Sequence, residues 1–157
     1  MLRLNYRFNT ASNVFAGFIQ TETPYYMPNP DARTQPYTPS AAYADPDYTY
    51  ACSGGQPVCD AYGLRVLNSQ NVMIYGGGLY SFFRNYDVSC SSPDAPGGAR
   101  ICQTQIFSIE GTSSLQAFAL SEVGVEQMVT IDGRDYAKWS DNVSVYPNTI
   151  GFLKYRL

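Results

Sequence analysis

Residues 2–8, Leu2-Arg3-Leu4-Asn5-Tyr6-Arg7-Phe8, alternate apolar and polar side chains. That period of two predicts a strand with one buried face. Val14-Phe15-Ala16-Gly17-Phe18-Ile19 is a short apolar run bounded by Asn and Thr, which suits a strand covered on both faces. Further strands are predicted over 64–68, 71–75, 79–83, 101–109, 115–120, 128–131, 143–146 and 151–157. No segment keeps a 3.6-residue period over three turns, so the chain reads as all-β. A short helix near 123–128 fits the pattern less well than a strand.

The strand pattern echoes itself. Ser12-Asn13-Val14-Phe15-Ala16-Gly17-Phe18 resembles Ser69-Gln70-Asn71-Val72-Met73-Ile74-Tyr75-Gly76, and Ser113-Ser114-Leu115-Gln116-Ala117-Phe118 is a fainter third copy. Each has a small polar turn, then alternating apolar residues. Asn suits such turns because it tolerates a left-handed backbone and bonds locally. Short strands between turns of unequal length fit a parallel β-helix, whose successive coils bury one another. An antiparallel β-sandwich fits the strand count equally well.

Residues 24–63 break the pattern. They hold seven of the ten Pro and seven of the 14 Tyr, and their only Val, Ile, Leu or Phe is Val58. Proline removes backbone donors, so this stretch can form neither a ladder nor an amphipathic helix. A connection this long is functional or disordered. Its Tyr load favours an ordered, functional loop, since Tyr packs its ring and still offers a hydroxyl.

Composition narrows the chemistry. The chain has 157 residues, long enough for one domain burying roughly two-thirds of its unfolded surface. A net charge of −3 argues against nucleic acid as a partner, because phosphates call for a basic face. No apolar run approaches the roughly 18 residues of a membrane span, so no membrane partner is expected. There is no His, so acid–base chemistry falls to Asp, Glu, Tyr, Lys or Cys. No cofactor motif is present. Gly76-Gly77-Gly78 lacks the Lys-Ser/Thr of a phosphate loop and reads as tight turning or close backbone approach.

Four cysteines stand at 52, 59, 90 and 102. Their spacing lacks the tight pairs of a zinc knuckle, so no metal site is expected. Their polar, loop-like flanks suggest two disulfides. Cys52–Cys59 and Cys90–Cys102 are favoured because each closes a short polar loop, although three connectivities are open. Disulfides and the Asn142-Val143-Ser144 glycosylation pattern at Asn142 point to an extracellular, secreted protein. The first residues lack the apolar core of a signal peptide, which suggests a fragment or a mature segment given a start Met.

The run Val14-Phe15-Ala16-Gly17-Phe18-Ile19-Gln20-Thr21-Glu22-Thr23-Pro24-Tyr25-Tyr26 resembles the C-terminal region of fungal exo-β-1,3-glucanases of glycoside hydrolase family 55. The Pro-rich run after it is similar to the same family. So are Gly63-Leu64-Arg65-Val66 and the stretch from Val72-Met73-Ile74-Tyr75 through Gly76-Gly77-Gly78 to Phe83-Arg84-Asn85-Tyr86. The similarity covers nearly the whole chain. It implies a right-handed parallel β-helix of the pectate lyase-like kind. Residues 1–157 would be the C-terminal part of a β-helix domain, and 24–63 a long loop within it. The family builds two tandem β-helices with the active site between them, and removes glucose or short units from β-1,3-glucan with inversion.

Glu22 stands out even without the resemblance. It is the only acidic residue among the first 30, and it ends an apolar strand just before two Tyr. A carboxyl against aromatic surface is expected to be desolvated, which favours its protonated form and suits a general acid at a glycosidic oxygen. By resemblance, Glu22 matches the family's catalytic acid. Tyr25 and Tyr26 are candidate sugar contacts, through ring faces and phenols; packing of the long loop is the other reading for both. Gln20 lies two residues before Glu22, on the same strand face, where it could orient the acid or bind a hydroxyl. Core or loop packing is the favoured reading for Tyr80, Phe82 and Phe83, with lining of the cleft as the alternative.

Inverting hydrolysis needs a second group, roughly 6.5–9.5 Å away, to activate water. The resemblance places it in an N-terminal β-helix that this chain lacks. The expected partners are therefore β-1,3-glucan and that missing half, and the isolated chain is expected to hydrolyse little. A non-catalytic β-glucan-binding module and a purely structural β-solenoid are the competing readings.

Overall fold

The computed structural model describes residues 4–34, 38–43, 45, 48, 60–95, 100–142 and 146–157. Among these described residues nine strands run in order: β1 Leu4–Asn9, β2 Ser12–Glu22, β3 Tyr62–Leu67, β4 Gln70–Tyr80, β5 Gln103–Glu110, β6 Ser114–Val123, β7 Val125–Ile131, β8 Arg134–Lys138 and β9 Asn148–Arg156. The chain crosses between two sheets at almost every step. One sheet has the order β1-β3-β5-β7-β8 and the other β2-β4-β6-β9. The strands from β1 to β7 pair in parallel, and β8 and β9 close the last edges antiparallel.

The sequence echo is this stacking. Val14, Val72 and Leu115 lie in register, as do Ala16, Ile74 and Ala117. Asn13 and Asn71 are both left-handed, and the Asn71 amide donates to Asn13 Oδ1 at 2.6 Å. A second column of left-handed residues, Thr10, Asn68, Gly111 and Asp132, follows β1, β3, β5 and β7. The Thr10 and Asn68 N–H groups donate to Leu67 O and Glu110 O of the next strand in the sheet. Inward side chains from both sheets, including Leu64, Val66, Ile74, Phe107, Leu120 and Val129, form one buried core.

A third column sits inside the strands. Phe18, Gly76 and Ala119 all have positive φ, and each is skipped in the pairing: Gly17, Tyr75 and Phe118 align, then Ile19, Gly77 and Leu120. These are stacked bulges, and a bulge shifts side-chain parity by one residue. Before it the buried positions of β4 are Val72 and Ile74; after it they are Gly77 and Leu79. The glycine run reads as expected, since Cβ atoms at Gly77 and Gly78 would lie 2.8 Å from Leu120 and 2.7 Å from the Tyr80 hydroxyl.

Differences from the pattern reading have local causes. Residues 123–128 are the end of β6, a turn at Gly124 and the start of β7. β8 was not expected, because Arg134-Asp135-Tyr136-Ala137-Lys138 is largely exposed and carries no apolar alternation; its hairpin turns at Asp132-Gly133. Of the strand expected over 143–146, only Tyr146 is described, and it lies in a bend. Cys90 and Cys102 form the expected disulfide. Cys52 and Cys59 lie outside the described residues. No helix among the described residues is long and apolar enough to cross a membrane.

Much of the described part of 24–63 is tied down by its own small core. Met27, Ala32, Tyr48, Ala61 and Tyr62 are buried together, and half-buried Tyr26 packs on them. Tyr48 and Tyr62 stack with ring centroids 5.6 Å apart, and the Tyr62 N–H donates to the Tyr48 hydroxyl. Aromatic rings supply here the apolar area that Val, Leu and Ile supply elsewhere.

Candidate functional site

Glu22 is the last residue of β2, in register with Tyr80 on β4. The strand ends in a double clasp: Thr23 N–H donates to Tyr80 O, and the Thr23 hydroxyl donates to Ser81 Oγ at 2.8 Å. The bulge at Phe18 decides where Glu22 points. Uninterrupted alternation would put Glu22 on the side of Val14 and Ala16. With the shift, Ile19 and Thr21 are buried, and Gln20 and Glu22 face outward. The desolvated setting expected for Glu22 is therefore corrected: its carboxyl is exposed.

The expected neighbour is present. The Tyr25 hydroxyl donates a hydrogen bond to Glu22 Oε2. That bond and the carboxylate's charge push the Tyr25 phenol above its ordinary range. The Tyr25 ring packs on Phe83, with centroids 4.0 Å apart and planes tilted by 34°. Tyr80 and Phe82 form a second ring pair at 5.4 Å, and the Tyr80 hydroxyl lies over the bare Cα of Gly78, which is in register with Gln20.

The loop around Tyr25 is held from β4's far end. Asn85 N–H donates to Met27 O, and Tyr86 N–H to Tyr25 O. Arg84 donates to Cys102 O at 3.0 Å, so the disulfide-linked segment braces the turn that carries Tyr25. Asp31 nearby in sequence is committed to Arg33 through Arg33 Nε at 2.8 Å. Burial pushes its carboxyl up, but the bonds and charge of Arg33 outweigh this and hold it below the usual range.

Of the residues singled out by sequence, the fold joins Glu22 to Tyr25 and sets Gln20 on their face of β2. Tyr26 turns to the loop core instead. Phe83 belongs to the site as the ring under Tyr25, beyond the packing role first read for it. The Asn142 carboxamide accepts from Thr149 N–H at 2.9 Å and rests its Nδ2 on the Met128 sulfur at 3.8 Å. Among the described residues no cluster of acidic or Cys side chains could hold a metal. Chemically, the arrangement offers one exposed carboxyl and a phenol beside a flat aromatic surface, a combination able to grip a sugar ring and move a single proton.

No known family profile matches the chain. It is 59% identical over 150 residues to a glucan 1,3-β-glucosidase of Cochliobolus carbonum, covering 96% of this chain and 18% of that protein. It is 37% identical over 153 residues to a probable glucan endo-1,3-β-glucosidase of Arthroderma benhamiae, covering 95% of this chain and 16% of the relative. A weaker likeness, 23% over 145 residues, joins it to a non-secreted LysM effector of Penicillium expansum, covering 92% of this chain and 9% of the relative. The chain thus spans less than a fifth of the length of the relatives it matches.

Proposed function

We propose that this chain is part of a β-1,3-glucan hydrolase of glycoside hydrolase family 55 type, with Glu22 as general acid. The observation that carries the reading is the exposed Glu22 carboxyl, bonded to Tyr25 beside Phe83, in a chain 59% identical to a glucan 1,3-β-glucosidase. Glu22 protonates the departing glycosidic oxygen. Tyr25 supplies a ring face and a phenol to the sugar, and Gln20 contacts a hydroxyl from the same strand. Tyr26 serves the reaction only by holding the loop.

The fold proposed for the whole domain is a right-handed parallel β-helix. Alternating parallel strands and three columns of left-handed turn or bulge residues support it. Among the described residues β8 and β9 are the last strands of the two sheets, and β1 and β2 form the opposite edges with no strand paired beyond them. Further coils from the rest of a longer protein would stack there, and another part of it would supply the water-activating group. The proposed enzyme is exo-acting, inverting and secreted. Glycosylation at Asn142 would require its Nδ2 to leave the Met128 sulfur.

Laminarin hydrolysis by the 157-residue chain and by the full-length protein tests this reading. The full-length protein turns over laminarin and loses that activity on Glu22→Gln, whereas the isolated chain yields only background. Unchanged activity in the full-length variant removes Glu22 from the mechanism. Turnover by the isolated chain that vanishes on the same substitution removes the need for a second half.

A further inference from the structure

Glu122 is the one acidic side chain that the described fold buries completely. It lies near the end of β6, between Leu79 of β4 and Asn148 of β9 in register. Its exposure is 0%, and neither carboxyl oxygen has a hydrogen-bond partner. The bulge at Ala119 explains this placement. It moves the inward positions from Leu115 and Ala117 to Leu120 and Glu122. The next residue, Val123, is in register with Tyr80 and through it with Glu22, so Glu122 sits in the layer that supports the candidate site.

A carboxylate buried without a partner carries a desolvation cost that drives it to its neutral form. We infer that Glu122 is a pH-sensitive latch: as the neutral acid it lets β6 close between β4 and β9, and its ionisation opens that layer beneath Glu22. On ionisation the proton goes to solvent, and the charge must then find water, which it can do only if the strands part.

Among the described residues no side chain bonds the Glu122 carboxyl; the nearby cations are engaged elsewhere, Arg84 with the Cys102 carbonyl and Arg100 over the Tyr146 ring. On β4 the titratable groups are Tyr75, exposed on the outer face, and Tyr80, one register from Glu122. On β9 they are Lys154, Tyr155 and Arg156, paired with Gln116, Leu115 and Ser114 at the far end of β6. Glu126 on β7 is exposed. Elsewhere in the interior, Asp60 accepts from Thr104 N–H, Tyr62 from Gln105, and Glu110 binds Arg65. Burial alone raises the Glu122 carboxyl well above the usual carboxylate range, with no charged group offsetting it. The sign follows. The folded state keeps a proton that the unfolded state releases, so stability is full below the unfolded carboxyl range and falls as pH rises through the folded one.

The test compares wild-type chain with Glu122→Gln and Glu122→Leu by urea unfolding from acidic to mildly alkaline pH. The expected result is a folding constant that drops, relative to either variant, by up to about tenfold per pH unit above the usual carboxyl range. Infrared spectra of the native wild type at neutral pH carry the C=O stretch of a protonated acid that Glu122→Leu lacks. Parallel pH profiles for wild type and variants, or no protonated-acid band, overturn the latch. This outcome is independent of the glucanase reading, because no arm of the test uses a glucan.

Discussion

The Tyr25 hydroxyl donates to Glu22 Oε2 across the three residues in which β2 ends and the long loop begins. This contact sets the titration of Tyr25. Deprotonating Tyr25 removes the donated proton and sets a phenolate beside a carboxylate, so the phenol is held above its ordinary range. Ultraviolet titration should show Tyr25 ionising at higher pH than it does in Glu22→Gln, where the charge is absent. Identical titrations in the two proteins would mean that the contact is not formed in solution.

The first strand pair carries core-type residues without full cover. Phe8, Val14 and Ala16 are only partly buried, whereas their register partners Val66, Val72 and Ile74 are 0–2% exposed. Open parallel edges with apolar side chains recruit further strands. The isolated chain should therefore self-associate in sedimentation experiments, and Val14→Lys should shift it toward monomer. A sharply monodisperse wild-type monomer would show that the edge protects itself.

Gly124 joins β6 to β7 with φ of 75°. A Cβ there would lie 1.9 Å from the Ser81 carbonyl oxygen. Gly124→Ala combines left-handed strain with a backbone clash and should cost roughly 2–4 kcal/mol. Denaturant unfolding measures it. A loss below about 0.5 kcal/mol, the range of an ordinary surface change, would contradict the placement.

The Cys90–Cys102 bond braces the turn that holds Tyr25, because Arg84 donates to the Cys102 carbonyl. Paired substitution to Ser should cost about 3 kcal/mol through the freed unfolded chain. It should also weaken laminarin-induced fluorescence changes more than the distant Tyr136→Phe does. Equal laminarin responses would detach the disulfide from the site.

The stacking of strands was legible because small polar turns recur ahead of alternating apolar residues, with Asn13 and Asn71 in left-handed backbone. Asn13 above Asn71 was written into the echo. The bulge column was not legible, since Phe18 and Ala119 adopt positive φ without any glycine to announce it. Parity along β2 and β6 was lost with it. The bulges turn Glu22 outward and bury Glu122, which stands in an unremarkable Leu-Ser-Glu-Val run. The Tyr-rich segment was expected to be an ordered, functional loop; where it is described, Tyr48 and Tyr62 are buried. Its second role, a satellite core around Tyr48 and Tyr62, depends on contacts between residues far apart in the chain.

The central claim is that Glu22 donates the proton to the leaving oxygen. The direct measurement is kcat/KM of full-length Glu22→Gln on two substrates: laminarin, whose sugar leaving group must be protonated, and an aryl β-glucoside whose phenol departs without a proton. The predicted result is a loss of roughly 10²–10⁴-fold on laminarin, with the aryl glucoside largely spared. Equal losses on both substrates, or no loss on laminarin, would contradict the assignment.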